Sequence, residues 1–357
     1  MDLERVKAVL KKAQEPEYRL RQILDAVYRD SADGWTSVKT IPAGLRALLE
    51  KEAPLLSLKE SKVHSSADRM AHKALLETRD KLFIESVLLK PKPGGPWSAC
   101  ISCQVGCAMG CRFCATGAMG LVRNLIPEEI TDQVLFWRQY LRRTGGAQRL
   151  ANVVYMGMGE PLHCLDEVSE SLRALMDPQR FALSARHLSV STVGIATRLE
   201  QFVAEFPQVN LAVSLHAGID ELRSKLVPAN KAYPLKALAA ALQRCLELTR
   251  KKIFLEYVLI GRLNDGPVHA RELARFVRSV GRPDLLHVNL ILLNPTHKRH
   301  QPPPEWVLKT FRNELVRLGL HVTIRKSLGA EIEAACGQLA TGGNRKRPGG
   351  GGFRALS

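Results

Sequence analysis

From residue 99 onward, short apolar runs alternate with segments whose apolar residues recur every three or four positions. The runs at 99–102, 152–156, 188–192, 209–215, 253–259 and 287–293 read as strands. Helical spacing follows them at 127–142, 165–176, 197–205, 220–226 with 235–249, 268–279 and 304–318. Six strand-to-helix units with short connections predict an α/β fold on a parallel sheet, either doubly wound or closed part-way into a barrel. A last strand is expected at 321–325. In both architectures the chemistry collects at the carboxyl ends of the strands.

Upstream the pattern differs. Val6, Leu10, Leu20, Ile23, Leu24 and Val27 recur at helical spacing, broken by Glu15-Pro16, and Leu45, Leu48 and Leu49 mark a second helical piece. Residues 1–80 are therefore expected to form a small helical accessory domain, ahead of a main domain at 81–339. The apolar run 82–89 reads as a strand interrupted by one carboxylate, Glu85, which faces either solvent or a site. The last stretch, 340–357, holds Arg345-Lys-Arg347 and Gly349–Gly352 and is too glycine-rich and charged to fold alone; it is expected to be a disordered basic arm.

Polar residues gather where the strands end. Met156-Gly-Met-Gly159-Glu160-Pro161 follows the second strand, Ser189, Ser191 and Thr192 lead into Gly194, Ser214 and His216 close the fourth, and Asn294-Pro295 closes the sixth. Any one of these is ordinary turn chemistry. Their convergence on one mouth points to a bound polar cofactor.

Charge and cysteine content change the picture further. The 357 residues carry a formal net charge of +17, which calls for a polyanionic partner, nucleic acid first. A basic face, notably Arg19, Arg21, Arg29, Lys39 and Arg46, also fits a merely solvated surface. No run reaches membrane-spanning length and residues 1–30 lack a secretory pattern, so a cytoplasmic protein with reduced thiols is expected. There, cysteines are ligands or catalysts more often than staples.

Five of the eight cysteines fall within Cys100-Ile-Ser-Cys103-Gln-Val-Gly-Cys107-Ala-Met-Gly-Cys111-Arg-Phe-Cys114. Cys107, Cys111 and Cys114 are spaced Cys-x3-Cys-x2-Cys. Three thiolates on one loop suit three irons of a four-iron cluster, leaving the fourth iron open to a small molecule that receives an electron. Structural zinc is the alternative, but it usually takes four ligands in two pairs, and no second pair follows downstream. Cys164 and Cys245 lie in helical patterns and read as buried thiols.

Cys107-x3-Cys111-Arg-Phe113-Cys114 resembles the radical-SAM signature. Together with Cys100-Ile-Ser-Cys-Gln-Val-Gly-Cys107, Gly117-Ala-Met-Gly-Leu-Val-Arg-Asn-Leu125, Met156-Gly-Met-Gly-Glu-Pro161, Leu188-Ser-Val-Ser-Thr192 and Ala334-Ala-Cys-Gly-Gln-Leu339, it resembles the radical-SAM RNA adenine methyltransferases of the RlmN/Cfr type. The likeness extends from the helical region to about residue 339. It implies an incomplete (β/α)6 radical-SAM barrel with an N-terminal accessory domain, and one [4Fe-4S] cluster on Cys107, Cys111 and Cys114. The open iron would bind the amino and carboxylate groups of S-adenosylmethionine. Gly159, Glu160, Ser191, Ser214, Leu215, His216 and Asn294 match positions that hold this cofactor, and Phe113 would flank it.

The resemblance also implies a mechanism that consumes two S-adenosylmethionine molecules per turnover. One methylates Cys336. The second yields a 5′-deoxyadenosyl radical that abstracts hydrogen from that S-methyl group. The carbon radical adds to adenine, Glu85 matches the proton acceptor, and Cys100 attacks Cys336 to form a transient disulfide and release the product. Cys103 stands where the family commonly has serine. The loop between Glu85 and Cys100 is longer than in many relatives.

The implied substrate is an adenine of 23S rRNA, with an adenine of tRNA as a further target, and the implied partner is an electron donor of the flavodoxin or ferredoxin kind. A monomer is expected. Arg325-Lys-Ser327 and Gln104-Val-Gly-Cys107 look like the enzymes that methylate carbon 2. Lys90-Pro-Lys-Pro-Gly-Gly-Pro-Trp97, Ile130-Thr-Asp-Gln-Val134 and Phe206-Pro-Gln-Val-Asn-Leu211 read closer to the carbon-8, antibiotic-resistance type. Carbon 2 is the main reading. The alternatives are carbon 8, a radical-SAM enzyme acting on protein, which would need neither Cys100 nor Cys336, and an RNA-binding protein with a zinc loop.

Overall fold

A computed structural model describes residues 1–145, 149–296 and 300–340; of the expected disordered arm at 340–357, Ala340 is described, with its amide on Glu85, and the rest lies outside the described residues. Ten strands form one sheet in the order β1-β2-β3-β4-β7-β8-β9-β10-β11-β12. They are β1 (Lys59–Ser65), β2 (Ala71–Glu77), β3 (Phe83–Leu89), β4 (Trp97–Cys100), β7 (Leu150–Tyr155), β8 (Leu188–Thr192), β9 (Asn210–Ser214), β10 (Ile253–Leu259), β11 (Leu286–Leu292) and β12 (His321–Arg325). A separate hairpin pairs β5 (Gln104–Gly106) with β6 (Leu121–Asn124).

From β4 to β12 every neighbouring pair is parallel. The sheet has two free edges, β1 and β12, so the barrel is incomplete. The strands are apolar because helices cover them: β10 is buried over almost its whole length. Each covering helix presents one apolar stripe. In α6 (Leu165–Met176), Leu165, Val168, Leu172 and Leu175 are buried, while Asp166 and Glu167 occupy the first turn, where the helix dipole favours acids. In α9 (Leu235–Thr249), Leu235, Leu238, Leu242 and Leu246 do the same.

The N-terminal segment contains the expected helices, α1 (Leu3–Lys12), α2 (Tyr18–Leu24), which runs on into a wider turn at Asp25–Arg29, and α3 (Ala43–Glu52). It docks on α5 (Pro127–Gly145). Asp132 of that helix is fully buried and accepts from the Ser57 amide at 2.7 Å and hydroxyl at 2.8 Å, Arg138 donates to the Tyr28 carbonyl at 3.1 Å, and Gln139 donates to the Ala32 carbonyl at 2.7 Å.

One expectation needs correcting. Residues 59–77 are not helical; they form the antiparallel hairpin β1–β2 and extend the main sheet through β3. The reason is visible in β1, Lys-Glu-Ser-Lys-Val-His-Ser, whose residues are nearly all exposed and show no alternation of apolar side chains. It is an edge strand made by pairing with β2, and charged residues suit such an edge.

Candidate active site

The cysteine loop is shaped by the small hairpin. β5 delivers the chain to Cys107, α4 (Ala115–Met119) turns it, and β6 returns it, with the Cys107 amide donating to the Gly120 carbonyl at 3.0 Å. Gly106 must be glycine there: its φ is +78°, and a Cβ would lie 1.9 Å from the Gly120 carbonyl oxygen.

Cys107, Cys111 and Cys114 open onto one cavity at the carboxyl ends of the parallel strands. Phe113, Gly159, Glu160, Ser191, Ser214, His216, Asn294 and Cys336 share it. All eight cysteines are free thiols. Burial pushes the Cys107 and Cys111 thiols well up, and repulsion from their neighbours adds to this, so a cationic group at the loop is what would hold them as thiolates. Among the described residues, no three Cys, His, Asp or Glu side chains are grouped to hold a single metal ion. A cluster differs in giving each thiolate its own iron, and the donor set fits it.

The cavity walls are fixed by strand-end hydrogen bonds. Glu160 is buried; its Oε1 accepts from the Leu162 amide at 3.0 Å and its Oε2 from the Val193 amide at 2.8 Å. Burial raises its pKa to about 7 despite these bonds. Gly159, at φ +109°, packs so closely that a Cβ would lie 2.8 Å from Cys103 Sγ. His216 has a left-handed backbone at φ +61°. Its Nδ1 accepts from the Val258 amide at 3.1 Å, and its ring meets Phe113 edge-on at 4.7 Å. Burial, with help from Arg223, lowers its pKa to about 3, so the ring is neutral.

Cys336 is exposed to the cavity although well surrounded; burial pushes its thiol up while Arg325 pulls it back. Its loop is anchored on several sides: Asn294 donates to the Cys336 carbonyl at 3.1 Å, the Ala115 amide to the Gly337 carbonyl at 2.8 Å, and Thr116 to the Leu339 carbonyl at 2.6 Å. The structure thus joins the C-terminal loop to the cysteine loop across more than two hundred residues.

Three expected residues do not line the cavity. Leu215 is fully buried, and its amide donates to the Glu256 carbonyl at 3.0 Å. Cys100 ends β4 and is buried, and burial and then the neighbouring Cys336 thiol push it up to about 12. Glu85 is buried on β3, with Lys73 Nζ 3.1 Å from its Oε1 and the Ala340 amide 2.8 Å from its Oε2. Cys103 is buried beside Cys164, whose thiol donates to the Cys103 carbonyl at 3.8 Å.

Three further cavity or near-cavity groups escaped the sequence reading. Glu256 accepts from Asn289 at 2.9 Å and pairs with Arg325 at 3.1 Å on the cavity floor. Its signal was available: one carboxylate inside an apolar strand, as with Glu85. Arg223 is buried and donates to the carbonyls of Val193 (2.6 Å), Leu215 (3.0 Å) and Ser214 (3.2 Å), stitching the ends of β8 and β9; burial lowers its pKa to about 10. Nothing local in the sequence marks it. Lys73 is the third.

A partial parallel barrel whose first strand leads into three free thiols on a polar cavity defines a radical-SAM protein, and the model of the Radical SAM superfamily matches residues 101–277. The chain is similar to "Ribosomal RNA large subunit methyltransferase Cfr" of Bacillus velezensis, at 38% identity over 94% of this chain and 95% of that one. It is similar to "Probable dual-specificity RNA methyltransferase RlmN" of Chloroflexus aurantiacus, at 41% identity over 91% and 88%, and of Symbiobacterium thermophilum, at 37% over 98% and 92%. The crystal structure of a radical SAM methyltransferase from Sphaerobacter thermophilus superimposes with a TM-score of 0.88, at 40% identity over 95% of this chain and 97% of that one. The chain belongs to the RlmN/Cfr family of radical-SAM methyltransferases.

Proposed function

We propose that this chain methylates carbon 2 of an adenine in 23S rRNA, and of an adenine in tRNA, through an S-methylcysteine. The observation that carries this reading is the placement of Cys336 on the same cavity as Cys107, Cys111 and Cys114, with Cys100 close enough for the Cys336 thiol to help push its pKa up. A radical-SAM enzyme acting on protein would need neither Cys100 nor Cys336.

In this reading Cys107, Cys111 and Cys114 hold a [4Fe-4S] cluster, which when bound supplies the electron that splits S-adenosylmethionine. Glu160, Ser191, Ser214, His216 and Asn294 hold that cofactor through polar groups, with Gly159, Leu215 and Phe113 shaping its bed. The neutral His216 ring keeps positive charge away from the sulfonium. Cys336 carries the methyl group from a first S-adenosylmethionine; a second is consumed in the radical step. Glu85 takes the proton from the substituted ring carbon, and the Cys100 thiol attacks the Cys336 sulfur, so that the carbon–sulfur bond breaks as the disulfide forms and the methylene carbon takes its electron pair and a proton to become the methyl group. Carbon 2 is preferred over carbon 8 on Arg325-Lys-Ser327 and Gln104-Val-Gly-Cys107.

Residues 1–80 serve as an RNA-facing accessory segment beside the 81–339 barrel. The electron donor is of flavodoxin or ferredoxin type, and the enzyme works as a monomer in the cytoplasm. No described helix is long and apolar enough to cross a membrane.

The test is a reconstituted assay with methyl-labelled S-adenosylmethionine and a 23S rRNA fragment. Cys336→Ala is expected to lose methyl transfer entirely, and Cys100→Ala to accumulate an RNA–protein adduct that nuclease trims. Undiminished transfer by Cys336→Ala would sink the S-methylcysteine route.

A further inference from the structure

Lys73 has no part in the chemistry described above, and it lies in the segment whose pattern predicted helix. On β2 it is buried, at 7% exposure. Register explains whom it meets. Leu75 pairs with Glu85 across the antiparallel β2–β3 ladder, so Lys73, two residues earlier on the same face, is the diagonal neighbour of Glu85. Its ammonium stands 3.1 Å from Glu85 Oε1 and donates to the Glu333 carbonyl at 3.2 Å. The other carboxylate oxygen, Oε2, accepts from the Ala340 amide at 2.8 Å. Glu333 and Ala340 lie on the two sides of Cys336 in the chain. One buried ion pair therefore touches both arms of the loop that carries the thiol.

A buried ammonium is costly without a partner, and an apolar side chain would fill this strand face at less expense. We propose that Lys73 is a positioning residue of the methyl-transfer reaction, holding the Glu85 carboxylate against the C-terminal loop so that proton acceptor and Cys336 face the same ring. This rests on the proton-acceptor role proposed for Glu85; the contacts themselves do not. In the step concerned the adduct has given up its unpaired electron, which the oxidised cluster would accept; the carbon–hydrogen bond of the substituted ring carbon breaks, the proton passes to a Glu85 oxygen, and the electron pair of that bond stays with the ring. The charged groups facing Glu85 are Lys73 from β2 and Glu333 from the loop. Burial raises the Glu85 pKa, Lys73 opposes that, and Glu333 adds a smaller raising effect. Without the ammonium, Glu85 would keep its own proton to higher pH and could accept none.

The Cys336 loop has further anchors, on Asn294, Ala115 and Thr116, that do not involve Lys73. The two functions of the loop can therefore be separated by Lys73→Met and Lys73→Arg in the reconstituted full-length enzyme. Three readouts are needed: the mass of methylated Cys336 after S-adenosylmethionine alone, the ratio of free methylated RNA to RNA–protein adduct, and the pH profile of product release. Lys73→Met is expected to methylate Cys336, to release product at least tenfold more slowly while adduct accumulates, and to shift the acid limb of the profile to higher pH. Lys73→Arg, which keeps the charge, is expected to restore release and profile. Release by Lys73→Met at the unaltered rate and pH dependence would overturn the proposal. So would loss of Cys336 methylation in both variants, which would make Lys73 a folding residue. Failure of the unaltered enzyme to form either product or adduct would instead overturn the parent reading of the function.

Discussion

His216 carries a pH signature of its burial. In the fold its pKa is lowered from 6.5 to about 3, by burial first and Arg223 second. Between those values the unfolded chain binds a proton that the folded ring refuses, so stability rises with pH across the window and is lost as pH falls from about 6.5 toward about 3. The limiting slope for one proton is about 1.4 kcal/mol per pH unit. Denaturant titrations at several pH values should find a shallower slope for His216→Asn than for the unaltered chain; equal slopes would contradict a buried neutral ring. Most site residues could be named from the sequence because they sit in tight motifs at strand ends: Glu160 after Gly159, His216 after Ser214. Lys73 and Arg223 could not. Each acts through partners elsewhere in the sequence, Lys73 through Glu85 and Glu333, Arg223 through Val193 and Ser214. A single charged residue in a strand or helix announces no such pairing.

Among the elements, the β5–β6 hairpin decides how the three thiols are presented. Its closure depends on Gly106, where any side chain meets the Gly120 carbonyl. Gly106→Ala is expected to destabilise the loop by about 3 kcal/mol, from positive-φ strain and overpacking together. It should lower the iron bound per chain in the anaerobically reconstituted protein. Full iron loading with an unchanged melting temperature would contradict this role. Strands of three or four residues are poorly legible in sequence: Gln104–Gly106 and Leu121–Asn124 are too short for a period to show. β10 was legible because burial over almost its whole length makes it a nearly continuous apolar run. β1 was not, since its residues are polar and its pairing with β2 alone makes it a strand.

At the scale of the whole molecule, the parallel sheet sets the cavity at one end of the barrel, while the antiparallel β1–β4 extension brings Lys73, Glu85 and Cys100 up behind it. The first eighty residues therefore supply both helices that dock on α5 and a hairpin that joins the main sheet and sets Lys73 beside Glu85. The net charge of +17 suits a polyanionic substrate but does not choose one. Relatives named for RNA methylation, with large-subunit and dual-specificity enzymes similar at nearly equal identity, leave the modified atom to chemistry. The direct test is chromatography with mass spectrometry of nucleosides from 23S rRNA of cells with and without this protein. 2-Methyladenosine present only where the protein is present is the predicted result. The same ribosomal RNA nucleosides in both, or 8-methyladenosine in its place, would contradict the account.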